Sequence, residues 1–179
     1  MSKNWPGLVL ALAIGASAGV VAASLYWSRE VSSEQNKQVA DICGSDVPRV
    51  NGLITDSADI LSVTTEKKLA EESEALEYRT GHQLAVITLN EVTGDIDNVG
   101  PKIGSCWGIG GEGHDDGVLI TIAPENRKVR IDVGNGLMAK LTNDEAKQII
   151  DREMIPVFRS GDFNAGTTAG IHAVIGEIG

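Results

Sequence analysis

The chain has 179 residues, of which 42% are hydrophobic and 22% charged, and its formal net charge is −10. That length holds one domain with a real core plus a short appendage. The acidity argues against a nucleic-acid reader, whose phosphates need a basic face, and 4% aromatic residues advertise no stacking platform or sugar cleft.

Met1 to Lys3 is a short, weakly positive start. Trp5 to Trp27 is apolar and uncharged throughout, and it is about as long as a bilayer-spanning helix. A cleaved signal peptide would use the small residues near Ala16-Ser17-Ala18 or Val21-Ala22-Ala23. The span length and the Tyr26-Trp27 end favour an uncleaved signal anchor instead. Residues 1–29 are therefore expected to hold the chain in the cytoplasmic membrane as a single pass. The short N-terminal tail then puts the C-terminal part outside the cytoplasm, in the periplasm. Glu30 to Pro48 is polar and lacks a sustained apolar period, so residues 30–48 read as a tether. Residues 49–179 remain as the folded domain. Cys43 and Cys106 could pair in an oxidising compartment or remain two small thiols, and spacing does not choose.

Ser62 predicts an N-cap for a helix over Val63–Arg79, with Leu69 and Leu76 on one face and Thr80-Gly81 ending it. Gln83–Leu89 (QLAVITL) reads as a strand, and Glu91–Asp97 as a loop. A shorter helix is expected over Asn98–Trp107, although Gly100-Pro101 sits near its start. Val118–Ala123 is a β-branched run that reads as a strand buried on both faces. Lys128–Val133 alternates, with Val129, Ile131 and Val133 on one face and Lys128, Arg130 and Asp132 on the other. Thr142 and Glu145 have capping-box spacing. They open a helix with Ala146, Ile149, Ile150 and Met154 as its stripe, until Pro156 kinks or ends it. Asp162 caps a final helix carrying Ile171, Val174 and Ile178. This order implies a mixed sheet covered by helices on both faces.

Pro124-Glu125-Asn126-Arg127 has turn chemistry, so the two strands around it should form an antiparallel hairpin. If Ala123 lies opposite Lys128, then Leu119 faces Asp132 and Gly117 faces Gly134. The Asp115-Asp116 and Gly134-Asn135-Gly136 corners then meet at the open end of the hairpin. Carboxylates, carbonyls and an Asn amide beside flexible glycines suit a hard divalent cation. Asp-Gly is also a common turn signal, and acidic residues are often simply solvated.

The remaining motifs are weaker. Gly108-Ile109-Gly110-Gly111-Glu112-Gly113 precedes a strand and carries acids nearby, whereas a dinucleotide loop follows a strand and opens a helix. No nucleotide is expected. His82, His114 and His172 lack zinc-like spacing, and no serine sits in a nucleophile-elbow setting.

The order of several blocks resembles the TPM domain family. They are Arg49-Val50-Asn51-Gly52 through Thr55-Asp56-Ser57-Ala58-Asp59-Ile60-Leu61-Ser62, then Arg79-Thr80-Gly81, Trp107-Gly108-Ile109-Gly110 and Asp115-Asp116-Gly117-Val118-Leu119-Ile120. Asn126 to Gly136, Leu141-Thr142 and Ile155-Pro156-Val157-Phe158-Arg159-Ser160-Gly161-Asp162-Phe163 complete the series. The resemblance implies a three-layer α/β/α sandwich with a small mixed sheet, sited outside the cytoplasm. It implies divalent cations, notably calcium, with the family's acidic blocks falling on Asp56, Asp115, Asp116 and Asp132. Phosphatase activity in plant relatives, and roles in assembly or repair of membrane complexes, come with it.

A right-handed crossover would make strands Gln83–Leu89 and Val118–Ala123 parallel. Asp56 would then lie towards the opposite end from Asp115, so it ranks last among the metal ligands. The reading to be tested is a membrane-anchored calcium-binding module that serves an envelope complex through a protein partner. A metal-assisted phosphomonoesterase at the same corner is the alternative.

Overall fold

A computed structural model of the chain describes Pro48, residues 51–111 and residues 113–179. The expected membrane segment, most of the tether, Cys43 and Glu112 lie outside the described residues. Among the described residues, no helix is long and apolar enough to cross a membrane.

Ile54–Asp56 forms a short strand, β1, that the apolar pattern did not announce. Three residues give no readable alternation, and this one exists because a parallel neighbour pairs with it. The helix α1 follows over Val63–Thr80, capped by Ser62 Oγ, which accepts from Thr65 N–H at 3.2 Å. Leu69, Ser73 and Leu76 fall on one stripe and are buried. Gly81 ends α1 with φ of 80°, its N–H donating to Glu77 O.

Strand β2 (Gln83–Thr88) pairs parallel with β1, Ile54 lying beside Val86. Helix α2 spans Ile96–Trp107, starting two residues earlier than expected, because Asp95 caps it through Asp97 N–H. Pro101 lies inside this helix. Strand β3 (Gly117–Ala123) then pairs parallel with β2, as expected for two strands joined by a helical crossover.

Strand β4 (Lys128–Val133) closes an antiparallel hairpin with β3 in the expected register: Ala123 opposite Lys128 and Leu119 opposite Asp132. The four strands lie in sequence order, β1-β2-β3-β4. A short 3-10 turn over Asn135–Leu137 leads to α3 (Asn143–Ile149), which opens on the Thr142/Glu145 capping box. A π turn over Ile150–Met154 follows, then α4 (Ile155–Arg159) with Pro156 in its first turn. The wider turn meets the point where Pro156 withholds a donor, so the helical path is offset rather than ended. Helix α5 (Phe163–Ile178) is capped by Asp162, whose Oδ1 accepts from Ala165 N–H at 2.9 Å.

Two apolar layers hold the sheet between helices. Leu84, Val86, Val118, Ile120, Ile122 and Ile131 meet Leu69 and Leu76 of α1, Ile149 of α3 and Ile171, Val174 and Ile178 of α5. On the other face Ala85, Ile87 and Leu119 meet Ile103 of α2. The architecture is a three-layer α/β/α sandwich on a small mixed sheet. Each such buried Leu or Ile contributes about 1.5–3 kcal/mol, so the layers rather than the short strands carry the fold.

A candidate cation site at the mouth of the hairpin

The open end of the β3–β4 hairpin is closed by backbone contacts that only glycine permits. Gly134 N–H donates to Gly117 O at 2.8 Å, and Gly136 N–H donates to Asp115 O at 2.9 Å. A Cβ at Gly134 would strike the Asp115 carbonyl, and one at Gly136 would strike that of His114. The glycines thus bring one corner of chain onto the other. The Asp115 carbonyl is already used inside the protein, so its side chain is what remains for a ligand.

Asp115 takes a left-handed backbone, φ 53°, and its Oδ2 accepts from Asn135 Nδ2 at 3.0 Å. It lines a cavity of about 640 Å³ between α2, the strands and the 3-10 turn, with Ser105, Arg130, Asp132, Asn135 and Asn143 also on the wall. Asp132 points from β4 towards α2, where a Cβ on Gly100 would strike its Oδ2. Its Oδ1 accepts from Arg130 Nε at 2.5 Å, whereas Oδ2 is buried without a hydrogen-bond partner. Burial lifts the Asp132 carboxyl above its usual range; Arg130 pulls it back and Asp97 adds a smaller upward push. Arg130 reaches on to Asp97 of α2 at 2.5 Å, making the strand-to-helix pairing that its face allows.

The other two predicted ligands stand apart. Asp116 is not on the cavity wall; its Oδ2 lies 3.6 Å from His82 Nδ1 at the start of β2. Asp56 ends β1 beside Thr88, which pairs with Ile122 of β3, whereas the mouth lies where Gln83 pairs with Gly117. Asp56 accepts from Leu61 N–H at 2.8 Å and from the Thr88 hydroxyl, so it holds the β1–α1 turn. Among the described residues, no three His, Cys, Asp or Glu gather as a metal-ligating group. Asp115 and Asp132 share the cavity, Asp116 borders it from outside, and Asp56 belongs to the far end of the sheet.

The Gly-rich loop is built for packing. Gly110 N–H donates to Gln83 Oε1 at 2.8 Å, Ile109 N–H to Gly104 O and Asp116 N–H to Gly110 O. A Cβ at Gly110 would sit 2.6 Å from Gly117 N, so the loop lies flat on the start of β3. Sequence reasoning missed Asp97 and the link from Asp116 to His82. Both pairings join residues far apart in the chain, and no local spacing signals either.

The sequence profile of the TPM domain matches residues 54–177. The chain belongs to the TPM domain family. Among solved structures, the N-terminal domain of a protein from P. gingivalis is 31% identical, with a TM-score of 0.66, covering 69% of this chain and 80% of that one. The BA42 protein of the psychrophilic bacterium Bizionia argentinensis shares the fold at 18% identity and a TM-score of 0.59, covering 68% and 83%. The N-terminal domain of the cg2496 protein of Corynebacterium glutamicum does so at 15% and 0.51, covering 75% and 86%. No curated protein matches the chain. The profile runs from β1 to the last turn of α5, so the TPM domain includes the hairpin mouth and both layers of helices.

Chemically, the mouth of this TPM domain suits a hard cation. Asp115 and Asp132 offer carboxylate oxygens, one of them unpartnered, and Asn135, Asn143 and Ser105 add neutral ones. A hard cation held by only two carboxylates would take the rest of its coordination from amides, a hydroxyl and water.

Proposed function

We propose that this TPM domain is a divalent-cation module, with calcium as its ion, anchored to the cytoplasmic membrane by the N-terminal apolar segment and acting outside the cytoplasm on an envelope protein complex. The observation that carries the reading is the unpartnered Asp132 Oδ2 in a residue that shares one cavity with Asp115. A buried carboxylate oxygen without a partner costs about 1–3 kcal/mol, more when charged. A cation at the mouth would offset that cost by holding the carboxylate in its charged form. Cys106 is disulfide-bonded, which supports an oxidising compartment.

Calcium titration of the full chain in detergent tests this by calorimetry. Asp115→Ala should abolish saturable binding, Asp116→Ala should weaken it modestly, and Asp56→Ala should leave it intact. Equal loss in Asp56→Ala and Asp115→Ala would sink the assignment to the hairpin mouth.

A second reading, metal-assisted phosphomonoesterase, has Arg130 in its favour, since its guanidinium lines the same cavity and could offset phosphate charge. Turnover of p-nitrophenyl phosphate with added calcium or magnesium, lost in Asp115→Ala and kept in Asp56→Ala, would establish it. A folded protein that binds the ion without turnover leaves the binding module.

A further inference from the structure

The opposite end of the β3–β4 hairpin carries a second cavity, of about 600 Å³, with a different chemistry. Arg127 comes from the hairpin turn, Lys128 from the first position of β4 and Arg159 from the end of α4; all three are exposed. The floor includes Ile155, Phe158 and Phe163. None of the three cations makes an ion pair or side-chain hydrogen bond among the described residues, whereas Arg130, Lys140 and Lys147 do. In a chain of net charge −10, the three surround one apolar floor, whereas the acids nearest in sequence, Glu125 and Asp162, are not on the wall, and Asp162 is committed to capping α5.

The floor is set in place rather than loose. The Phe158 and Phe163 rings pack at 5.3 Å between centroids. Phe158 lies against Gly166 of α5, at a point where a Cβ would strike the ring. Arg127 adopts a left-handed backbone, φ 54°, at a turn position where glycine or asparagine would be unstrained. A strained arginine beside an unpaired arginine and lysine points to a use for the side chain.

We propose that this cavity binds an acidic peptide segment of a partner protein, seating one apolar side chain on Phe158 and Phe163 while its carboxylates meet Arg127, Lys128 and Arg159. The volume suits one large side chain with its flanking backbone. Two arginines on the wall favour carboxylates held in fixed orientation over a diffuse negative surface. All three cations stay exposed, so none is desolvated around a lone small anion, and the apolar floor has to contribute to affinity. The net acidity of the chain disfavours such a partner over much of the rest of the surface, so a cationic cluster beside an apolar floor adds specificity as well as attraction. The cavity lies at the closed end of the hairpin, away from Asp115, so it stands independently of the cation site.

The test is fluorescence anisotropy of the full chain in detergent against labelled pentapeptides with Phe, Leu or Val between paired glutamates. Control peptides replace Glu with Gln, or the central residue with Ala. The acidic apolar peptides should bind saturably and weaken with salt, and both controls should lose affinity. Arg127→Gly relieves the left-handed strain, so it should fold at least as well as wild type while weakening binding about threefold; removing all three cations should exceed about tenfold. EDTA and Asp115→Ala should change nothing. The proposal is overturned if no acidic peptide binds, or if the triple variant, folded by circular dichroism, binds equally. It is equally overturned if anionic phosphatidylglycerol vesicles bind through the same residues while every peptide fails, since the cavity would then read lipid.

Discussion

Gly134→Ala tests how rigidly the hairpin mouth is built. A Cβ there meets the Asp115 carbonyl carbon at 2.7 Å and Gly117 O at 3.1 Å, with the Asp115 oxygen closer still. All three are main-chain atoms, and both residues that carry them are pinned: Gly117 O accepts from Gly134 N–H, and Asp115 O from Gly136 N–H. No rotamer can relieve the contact, so the two corners must separate. Overpacking of this kind costs about 1–3 kcal/mol. Alanine also restricts the unfolded chain, which returns about 0.4–1 kcal/mol. The net expectation is a loss of about 1–2 kcal/mol, together with weaker calcium binding as Asp115 moves from the cavity. Gly176→Ala is the control: it lies in α5 with nothing within 4 Å of the added carbon. It should stabilise by about 0.5–1 kcal/mol through helix propensity. Urea unfolding followed by circular dichroism reads both, and calorimetry reads the ion. If Gly134→Ala unfolds with the wild-type midpoint and binds calcium as tightly, the mouth is plastic, and the argument from close approach fails.

Asp56→Ala removes the acceptor of Leu61 N–H and of the Thr88 hydroxyl, so stability should fall by about 1–3 kcal/mol. Calcium affinity should not change, and a parallel loss of affinity would contradict the separation of the two ends. Leu76→Ala empties a fully buried position under α1 and should cost about 2–5 kcal/mol; a midpoint within error of wild type would mean that α1 is not packed as described. The capping box gives a pH signature. The Thr142 N–H and hydroxyl hold the Glu145 carboxyl below its usual value of 4.5. A depressed carboxylate adds stability above the unfolded value, and that stability is lost as pH falls through the folded one. The difference in melting temperature between wild type and Glu145→Gln should therefore be present at pH about 6 and shrink towards pH about 3. A constant difference would mean that the carboxylate is not held by the cap.

The sequence by itself determined the elements whose causes are local. Ser62, Thr142 and Asp162 announce three helix starts because capping involves residues three apart in the chain. The alternation of Lys128–Val133 and the turn at Pro124–Arg127 fixed the hairpin register, because a slip of one residue would turn Ile131 out of the core. That register alone places Asp132 one repeat inside the mouth. Tertiary structure decided what depends on neighbours distant in sequence. Strand β1 is three residues long and exists through its pairing with β2. The start of α2 shifts to Asp95, and Pro156 is absorbed by a π turn rather than ending the path. The acidic residues looked equivalent as letters, yet folding divides them. Asp115 and Asp132 line one cavity, Asp116 turns towards His82, and Asp56 closes a turn at the other end of the sheet. Parallel pairing of β1, β2 and β3 makes that division, since Asp56 ends a strand while Asp115 and Asp116 precede one, and a parallel sheet sends those two ends apart.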